Sequence, residues 1–404
     1  MIRKSVKLEN VCYDIRGPVL EEASRMEKAG SSIIKMNIGN PAPFGFNTPD
    51  EIMHDIKLNL HLAQGYSDSK GLFSARKAVM HECQRLGIKN VNLENIWIGN
   101  GVSELITMSL QALLNNGDEV LIPAPDYPLW TASCSLAGGY PVHYICDEQS
   151  GWQPDIDDIV SKITERTRAI VIINPNNPTG AVYSGEILNE LISVAEKYGL
   201  IIFSDEIYEK ITYDGAVHIP AASISENVLT ITFNGLSKAY RAAGLRGGWM
   251  ILSGNTAGAS DYIEGLNILS NMRLCSNVTA QIAVQTALGG YQSIYELTAP
   301  DGRLTRQRNY LYERLTSIKG ISCVKPSGAL YLFPGFDRKL YPVANDEEFV
   351  LEMLKHTHVL AVQGSGFNWV QPDHMRLVFL PDLGILETAA DRMEAFFNSY
   401  RKKN

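Results

Sequence analysis

Short, almost uninterrupted apolar runs are the feature of this sequence that most limits its fold. Ala169–Ile173, Leu200–Phe203 and Val228–Phe233 are each made almost entirely of β-branched and apolar residues. Strands that are apolar on both faces are typical of a parallel sheet covered by helices on both sides. Since a predicted helix, Glu186–Tyr198, separates the first two runs, we predict an α/β protein.

Each of these runs is followed by a polar residue with distinctive chemistry. Asn177 lies in NPNNPTG after the first run, Asp205 follows the second, and Lys238 lies just beyond the third. In open α/β sheets, ligands bind at the edge formed by the carboxyl ends of the strands. Any one of these residues has an ordinary explanation, as a turn asparagine, a helix cap or a solvated lysine. The three together predict a binding site.

A glycine turn between a strand and a helix offers a place for an anion. The predicted strand Ile96–Ile98 passes through Gly99-Asn100-Gly101 into the predicted helix Ser103–Leu114. Free backbone amides and the helix dipole favour negative charge at such a junction. The turn has neither G-x-G-x-x-G nor G-x-x-x-x-G-K-[ST], so it is not a dinucleotide or nucleotide fingerprint. Taken alone, it is weak evidence of binding.

Three further residues have both a structural and a functional explanation. Tyr127, held in PAPDYPLW, either packs internally or stacks on a flat ligand. Tyr66, in the polar loop QGYSDSKG, is either an ordinary surface tyrosine or is covered by a partner subunit. Arg376, on the short strand MRLVFL, either faces solvent or points inward and needs an anionic partner.

Composition excludes several classes of function. The net charge of −8 gives no electrostatic basis for binding nucleic acid or an anionic membrane. No apolar run approaches the roughly 18 residues needed to span a bilayer. The first residues lack an apolar h-region, so we expect no secretory signal. Six cysteines without a C-x-x-C pair, and eight histidines without ligand spacing, predict reduced thiols, a cytoplasmic location and no metal site.

The length of 404 residues favours two domains. After Trp249–Leu252 the pattern changes: helical stretches come first, and the remainder alternates short strands and helices, including a predicted strand at Val359–Val362. We therefore expect an N-terminal segment (1–45) that joins the small domain, a large cofactor-binding domain (46–280) and a small α+β domain (281–404).

A planar, anionic cofactor with a carbonyl group would use all of these residues. Lys238 would supply the amine for an imine, and Asp205 a carboxylate that keeps a ring nitrogen protonated. These requirements describe pyridoxal 5′-phosphate, whose protonated ring withdraws electrons from a carbanion. The edges of the cofactor would be held by Asn177 and Tyr208 at the phenolic oxygen, by Arg246, Ser237 and the helix start at Val102–Ser103 at the phosphate, and by Tyr127 on the ring face.

Four motifs, in this order and spacing, resemble the class I/II aminotransferases of fold type I over essentially the whole chain: NPNNPTG, SDEIY, SKAYRAAGLRGGW and the late arginine. KLENVCYDIRGPV, NIGNPAPFGF, GYSDSKGL, PAPDYPLWTA and INPNNPTGAVYS more narrowly resemble the bacterial glutamate–pyruvate (alanine) transaminases. The resemblance implies a large domain with a mostly parallel, seven-stranded sheet flanked by helices, plus a smaller α+β domain.

The resemblance also implies a role for each matching residue. Lys238 would be the Schiff-base lysine and the proton shuttle between Cα and the cofactor carbon. Gly39 would let the substrate carboxylate approach, and Arg376 would grip it bidentately. Tyr66 would reach the phosphate of the neighbouring subunit, which implies a homodimer. Asp205, Asn177, Tyr208, Arg246, Ser237 and Val102–Ser103 would keep the cofactor contacts given above, Asn277 would add one, and Tyr13 and Arg16 would sense the substrate side chain.

One position departs from the family pattern. The phosphate loop often carries a hydroxyl residue three positions before the lysine, and here that position is Gly235. Phosphate contacts at this point must come from backbone amides or from Ser237.

The implied reaction is ping-pong amino transfer between L-alanine/pyruvate and 2-oxoglutarate/L-glutamate. Alternatives within the same fold are an aminotransferase for aromatic amino acids, aspartate or diaminopimelate, and a Cβ–S lyase. A non-catalytic, aminotransferase-like regulator is the alternative of a different class. Against it, the sequence contains no basic helix-turn-helix.

Overall fold

A computed structural model describes residues 2–8, 11 and 17–403 of the chain. Tyr13 and Arg16, the predicted side-chain sensors, lie outside the described residues.

Several strands of the described chain have only two residues, and most of the longer strands belong to the main sheet. The strands are β1 (Ile34–Lys35), β2 (Ile96–Gly99), β3 (Glu119–Ala124), β4 (Tyr140–Asp147), β5 (Gln153–Pro154), β6 (Thr167–Ile173), β7 (Ile201–Asp205), β8 (Thr230–Gly235), β9 (Gly248–Ser253), β10 (Ile321–Ser322), β11 (Tyr331–Leu332), β12 (Gly335–Phe336), β13 (Val359–Leu360), β14 (Val362–Gln363) and β15 (Met375–Val378).

Helices alternate with these strands and also form the C-terminus. They are α1 (Pro18–Lys28), α2 (Asp50–Asn59), α3 (Phe73–Arg85), α4 (Val102–Leu113), α5 (Leu129–Leu136), α6 (Ile156–Ser161), α7 (Gly185–Tyr198), α8 (Ala221–Ile224), α9 (Ser260–Met272), α10 (Val278–Gly289), α11 (Ile294–Thr298), α12 (Arg303–Thr316), α13 (Asp346–Thr357) and α14 (Leu383–Lys403). No helix of the described part is long and apolar enough to cross a membrane.

The main sheet has the strand order β2-β9-β8-β7-β6-β3-β4-β5. The strands from β8 to β4 run parallel, whereas β9 and β5 pair antiparallel with their neighbours. The α/β prediction is confirmed, but the sheet has eight strands rather than seven. The added strand, β5, contains only Gln153 and Pro154 at the sheet edge, which is too short for an apolar pattern to reveal.

The apolar runs are buried on both faces, as their composition predicts. In β6, Ile170 and Ile172 pack in a cluster that includes Leu188 of α7. The alternate residue Val171 packs on the opposite face with Ile106 of α4. Because side chains alternate along a strand, a strand covered on both faces must be apolar at every position.

The remaining strands form small sheets beside the main one. Their orders are β11-β15-β14, β10-β12 and β1-β13. The N-terminal strand β1 pairs in parallel with β13, so the beginning of the chain joins its C-terminal part. The expected limit at residues 280/281 falls within α10, which packs against α2 and α3. The domain limits stay predictions.

Candidate active site

A cavity of about 360 Å³ lies at the carboxyl ends of β6, β7 and β8. This volume is within the usual range for small-ligand sites. The fold brings together at this cavity most of the residues predicted from the sequence. These residues are Gly39, Val102, Ser103, Tyr127, Asn177, Asp205, Tyr208, Ser237, Lys238, Arg246 and Arg376.

Lys238 lies three residues beyond the end of β8 and faces the cavity. Its Nζ donates a hydrogen bond to the carbonyl oxygen of Gly39 at 2.7 Å and lies 5.8 Å from the centre of the Tyr208 ring. Strand pairing places Phe233 of β8 opposite Asp205 of β7, so the lysine and the carboxylate come from neighbouring strand ends. The amine is therefore held by a neutral group. Among the described residues, no carboxylate forms an ion pair with it.

Asp205 ends β7 and is buried beside the cavity. The Trp130 indole N–H donates to Oδ2 at 3.3 Å, and the Ile207 backbone N–H to Oδ1 at 3.3 Å. Burial raises the pKa of the Asp205 carboxyl to about 6, although the Trp130 hydrogen bond and the Lys238 charge act in the opposite direction. Among the described residues, no cation forms an ion pair with this carboxylate, so it could bind a cationic group of a ligand.

The start of α4 forms a cradle with the loop after β8. Gly101 has φ +82°, and a Cβ there would lie 2.4 Å from Nη2 of Arg246. A Cβ on Gly248 would lie 2.8 Å from the backbone nitrogen of Val102. Arg246 Nη1 donates to the Ala243 carbonyl at 2.9 Å and Nη2 to the Asn100 carbonyl at 3.3 Å. Backbone amides, a helix N-terminus and a guanidinium together suit a phosphate-sized anion.

The position that departs from the family pattern also has a steric explanation. A Cβ on Gly235 would lie 2.7 Å from the carbonyl oxygen of Gly247. Because the backbones of β8 and its neighbour meet here, any side chain at residue 235 would collide with them. The cradle therefore depends on Ser237, Arg246 and backbone amides.

Arg376 enters the cavity from β15 and is buried. Its Nη1 donates to Asn177 Oδ1 at 2.9 Å, and its Nη2 donates to the Asn37 carbonyl. Its guanidinium carbon lies 4.5 Å from the ring centre of Tyr331 and 4.4 Å from that of Phe367. A guanidinium that packs close to two aromatic rings is well oriented for a carboxylate ligand.

Two of the predicted residues that the structure describes do not line this cavity. Tyr66 is 82% exposed and does not line it. Asn277 does not line it either: its side chain caps α10 and donates to the Leu245 carbonyl at 3.0 Å, and its contact with the cofactor stays a prediction. Tyr13 and Arg16 lie outside the described residues.

The cavity also has lining residues that the sequence pattern did not reveal. Tyr331 comes from β11, and its hydroxyl lies 2.6 Å from that of Tyr208. Its only sequence signal is an aromatic residue on a short predicted strand, which is typical of any core. The other unpredicted lining residues are Leu20, Ile38, Ile173, Ile207 and Ala243.

Residues 31–392 match the sequence pattern of the family described as aminotransferase class I and II, and the chain belongs to this family. It is 59% identical to the glutamate-pyruvate aminotransferase AlaA of Escherichia coli strain K12 over 99% of each chain. It is 57% identical to the alanine aminotransferase of Mycobacterium tuberculosis strain H37Rv, over 99% of this chain and 93% of that protein. The solved alanine aminotransferase of Pyrococcus furiosus superposes with a TM-score of 0.94 at 40% identity, over 98% of this chain and all of that one.

Proposed function

We propose that this protein is a pyridoxal-phosphate-dependent aminotransferase that moves an amino group between L-alanine/pyruvate and 2-oxoglutarate/L-glutamate by a ping-pong mechanism. The observation that carries the proposal is the meeting of Lys238, Asp205 and Arg376 in one cavity. The substrate pair follows the relative that is 59% identical over nearly the full length of both chains.

The residues of the cavity fit this cofactor. Burial raises the pKa of Asp205, and no cation of the described residues forms an ion pair with its carboxylate. A protonated ring nitrogen would supply the missing positive partner. A Cβ on Gly101 would strike Arg246, and a Cβ on Gly248 would strike the backbone at Val102. Because both residues are glycines, the backbone amides of the cradle stay accessible to an anion. Tyr127 lines the same cavity and offers an aromatic face.

Each part of the cofactor would have its own binding groups. Pyridoxal phosphate supplies an aldehyde that condenses with amines and a protonated ring that accepts electrons from a carbanion. Asp205 would hold the ring nitrogen, and Tyr208 and Asn177 would donate to the phenolic oxygen. Ser237, Arg246 and the amides at Val102–Ser103 would bind the phosphate, and Tyr127 would cover the ring.

Lys238 would supply the amine that anchors the aldehyde. With a substrate amine in that place, Lys238 Nζ would lie close to the substrate and could accept the proton from its Cα. The Gly39 carbonyl, 2.7 Å from this nitrogen, fixes where the amine rests. Arg376 would bind the substrate carboxylate and so orient the Cα proton toward Lys238.

The first experiment tests the cofactor and the lysine together. The wild-type protein mixed with pyridoxal phosphate should show a visible absorbance band that borohydride removes, and mass spectrometry should place the reduced adduct on Lys238. Lys238→Ala should lack the band and lose roughly 10⁴-fold or more in kcat/KM while it still binds the phosphate end. A wild-type protein without such a band would overturn the cofactor proposal.

Steady-state assays then test the substrate pair. We expect turnover with alanine and 2-oxoglutarate, and in reverse with glutamate and pyruvate. Aspartate, aromatic amino acids, diaminopimelate and cystathionine serve as comparison donors. Failure to turn over alanine would refute the proposed specificity but leave the cofactor chemistry intact.

We also propose a homodimer in which Tyr66 reaches the partner's site. The segment before Tyr66 exposes Leu58, Leu60 and Leu62. Arg273 Nη2 donates to the Ser69 carbonyl at 2.7 Å, which brings the end of α9, with its exposed Met272, toward the same segment. Exposed apolar side chains grouped in this way favour a protein interface.

A subunit-mixing experiment tests this arrangement. Light scattering should give twice the chain mass of 44.7 kDa. Tyr66→Phe should weaken cofactor binding about tenfold. Mixing it with inactive Lys238→Ala should restore normal cofactor affinity in hybrid dimers, because one site then receives both intact residues. No restoration would place Tyr66 outside the partner's site.

A cytoplasmic location stays a prediction, supported by the free thiols of Cys83, Cys134, Cys146, Cys275 and Cys323.

A further inference from the structure

Tyr331 connects the two walls of the Lys238 cavity. It is buried at the start of β11 and comes from the small three-stranded sheet rather than from the main sheet. Its Oη lies 2.6 Å from the Oη of Tyr208, and a Cβ on Gly39 would lie only 2.2 Å from it. The hydroxyl is therefore held between Gly39 and Tyr208, with little freedom to turn away.

The pair of hydroxyls has a definite direction once Tyr208 serves a ligand. At 2.6 Å one hydroxyl must donate to the other. If Tyr208 donates its proton to the ligand's phenolic oxygen, then Tyr331 has to be the donor within the pair. A hydroxyl that accepts one hydrogen bond becomes a stronger donor in the next. Tyr331 would therefore strengthen the bond that Tyr208 makes.

The surroundings of the pair keep Tyr208 protonated. Asp205, Lys238 and Arg376 face Tyr208 within the same cavity. Burial, followed by the neighbouring Tyr331, holds the pKa of Tyr208 well above its ordinary value, although Arg376 acts to lower it. Tyr208 therefore stays protonated, and available as a donor, over the range in which the enzyme would work.

The ring of Tyr331 has a second contact that does not involve its hydroxyl. The guanidinium carbon of Arg376 lies 4.5 Å from its centre and 4.4 Å from the centre of the Phe367 ring. This contact needs only an aromatic face, whereas the contact with Tyr208 needs the oxygen. Phenylalanine and leucine at residue 331 would therefore separate the two contacts.

We propose that Tyr331 is a positioning residue with two separable roles in the proposed aminotransferase. Through its hydroxyl, it polarises Tyr208 toward the ring oxygen of the cofactor. Through its ring, it orients Arg376 for the substrate carboxylate. The inference rests on the proposed function and adds to it a residue that acts through two others.

The test compares Tyr331→Phe and Tyr331→Leu as cofactor-loaded proteins. A donor at the ring oxygen favours the form with more negative charge there, so its loss moves the pH midpoint of the visible absorbance upward. Because Tyr331→Phe weakens this donor without removing it, we expect an upward shift of about 0.2 pH unit. Its KM for pyruvate and 2-oxoglutarate should stay within about twofold, whereas Tyr331→Leu should raise both roughly tenfold.

A double variant shows whether the hydroxyl acts through Tyr208. In a Tyr208→Phe background, adding Tyr331→Phe should move the midpoint no further. An unmoved midpoint in the single variant, or an equal shift in both backgrounds, would overturn the hydroxyl role, and an unchanged KM in Tyr331→Leu would overturn the ring role. Thermal unfolding of each cofactor-free variant checks the fold. A wild-type protein without the visible band would overturn the proposed function and this inference with it.

Discussion

Lys238 and Lys210 belong to two different polar clusters near the end of β7. Lys210 is buried, and its Nζ lies 2.6 Å from Glu82 Oε1 and 2.9 Å from Glu209 Oε1. Among the described residues, Lys238 hydrogen-bonds to the neutral carbonyl of Gly39 at 2.7 Å, and it faces a cavity. The first cluster neutralises its charge within the chain, whereas the second leaves an amine and a carboxylate available to a ligand.

Adjacent residues show the same contrast. Burial raises the pKa of Asp205 to about 6 and that of Glu206 to about 8. Glu206 Oε1 accepts from Ser204 Oγ at 2.8 Å and from the Ala221 N–H at 3.0 Å, and His218 lies 3.6 Å from its Oε2. Asp205 instead borders the cavity. Burial and a shifted pKa therefore do not identify a binding site; an open side does.

The largest expected effect is on stability, in the closed cluster. Lys210→Met would leave Glu209 without its cation and Glu82 with Arg85 as its remaining partner, so we expect the free energy of unfolding to fall by about 3 kcal/mol. Denaturant titration of the cofactor-free protein measures this loss. Lys89→Met is the matched control, because Lys89 pairs with Glu226 at the surface, and its unfolding midpoint should not change. Equal midpoints for the two variants would contradict the contrast.

Asp205→Asn should produce the opposite pattern. Loss of one partner of a buried charge pair should lower kcat/KM by about 10²-fold in the cofactor-loaded enzyme. The stability of the cofactor-free protein should be unchanged or slightly higher, because the amide removes a buried charge. Glu206→Gln is the control and should keep activity within about threefold. Similar activity in both variants would remove the functional distinction between the two carboxyls.

Glu206 should make stability depend on pH. Its folded pKa of about 8 lies above the ordinary value of 4.5, so the folded state binds more protons between these values. Its contribution is fully present below pH 4.5 and is lost as the pH rises through 8. Between pH 6 and 8.5, wild type should lose on the order of 1–2 kcal/mol more than Glu206→Gln. Parallel pH curves for the two proteins would show that Glu206 does not titrate there.

Trp130→Phe should give the smallest effect. The variant keeps an aromatic ring against Phe203 and Phe233 but loses the N–H that donates to Asp205. Without that donor the Asp205 pKa should rise further, and kcat/KM near neutral pH should fall roughly three- to tenfold. A shift of the acidic limb of the kcat/KM profile to higher pH would accompany the loss. An unshifted limb would mean that the 3.3 Å contact has no effect on ionisation.

Much of the site could be predicted because the chemistry follows the strand order. The strands β6, β7 and β8 are neighbours in the sheet and successive apolar runs in the chain. At or just beyond their carboxyl ends lie Asn177, Asp205 and Lys238, respectively. Tyr331 could not be predicted in the same way, because it reaches Tyr208 across 123 positions of sequence from a different sheet. Local pattern carries no information about such a contact.

Strand limits failed for a related reason. Val359–Val362 was predicted as one strand, but β13 pairs with β1 and β14 pairs with β15. The apolar run is continuous, since both strands are buried, and only their partners reveal the break at Ala361. The eighth strand of the main sheet was missed because two residues are too few to show a period.

The glycine contacts of the cradle also limit how this enzyme could acquire a new specificity. At Gly101, Gly235 and Gly248, a single added carbon would strike backbone or Arg246. None of these three glycines can therefore be replaced by a larger residue without moving its neighbours. Leu20 and Ile38, which line the same pocket with side chains of their own, come from the N-terminal part of the chain. We expect laboratory evolution toward larger donors to collect its first substitutions there and to leave the three glycines untouched.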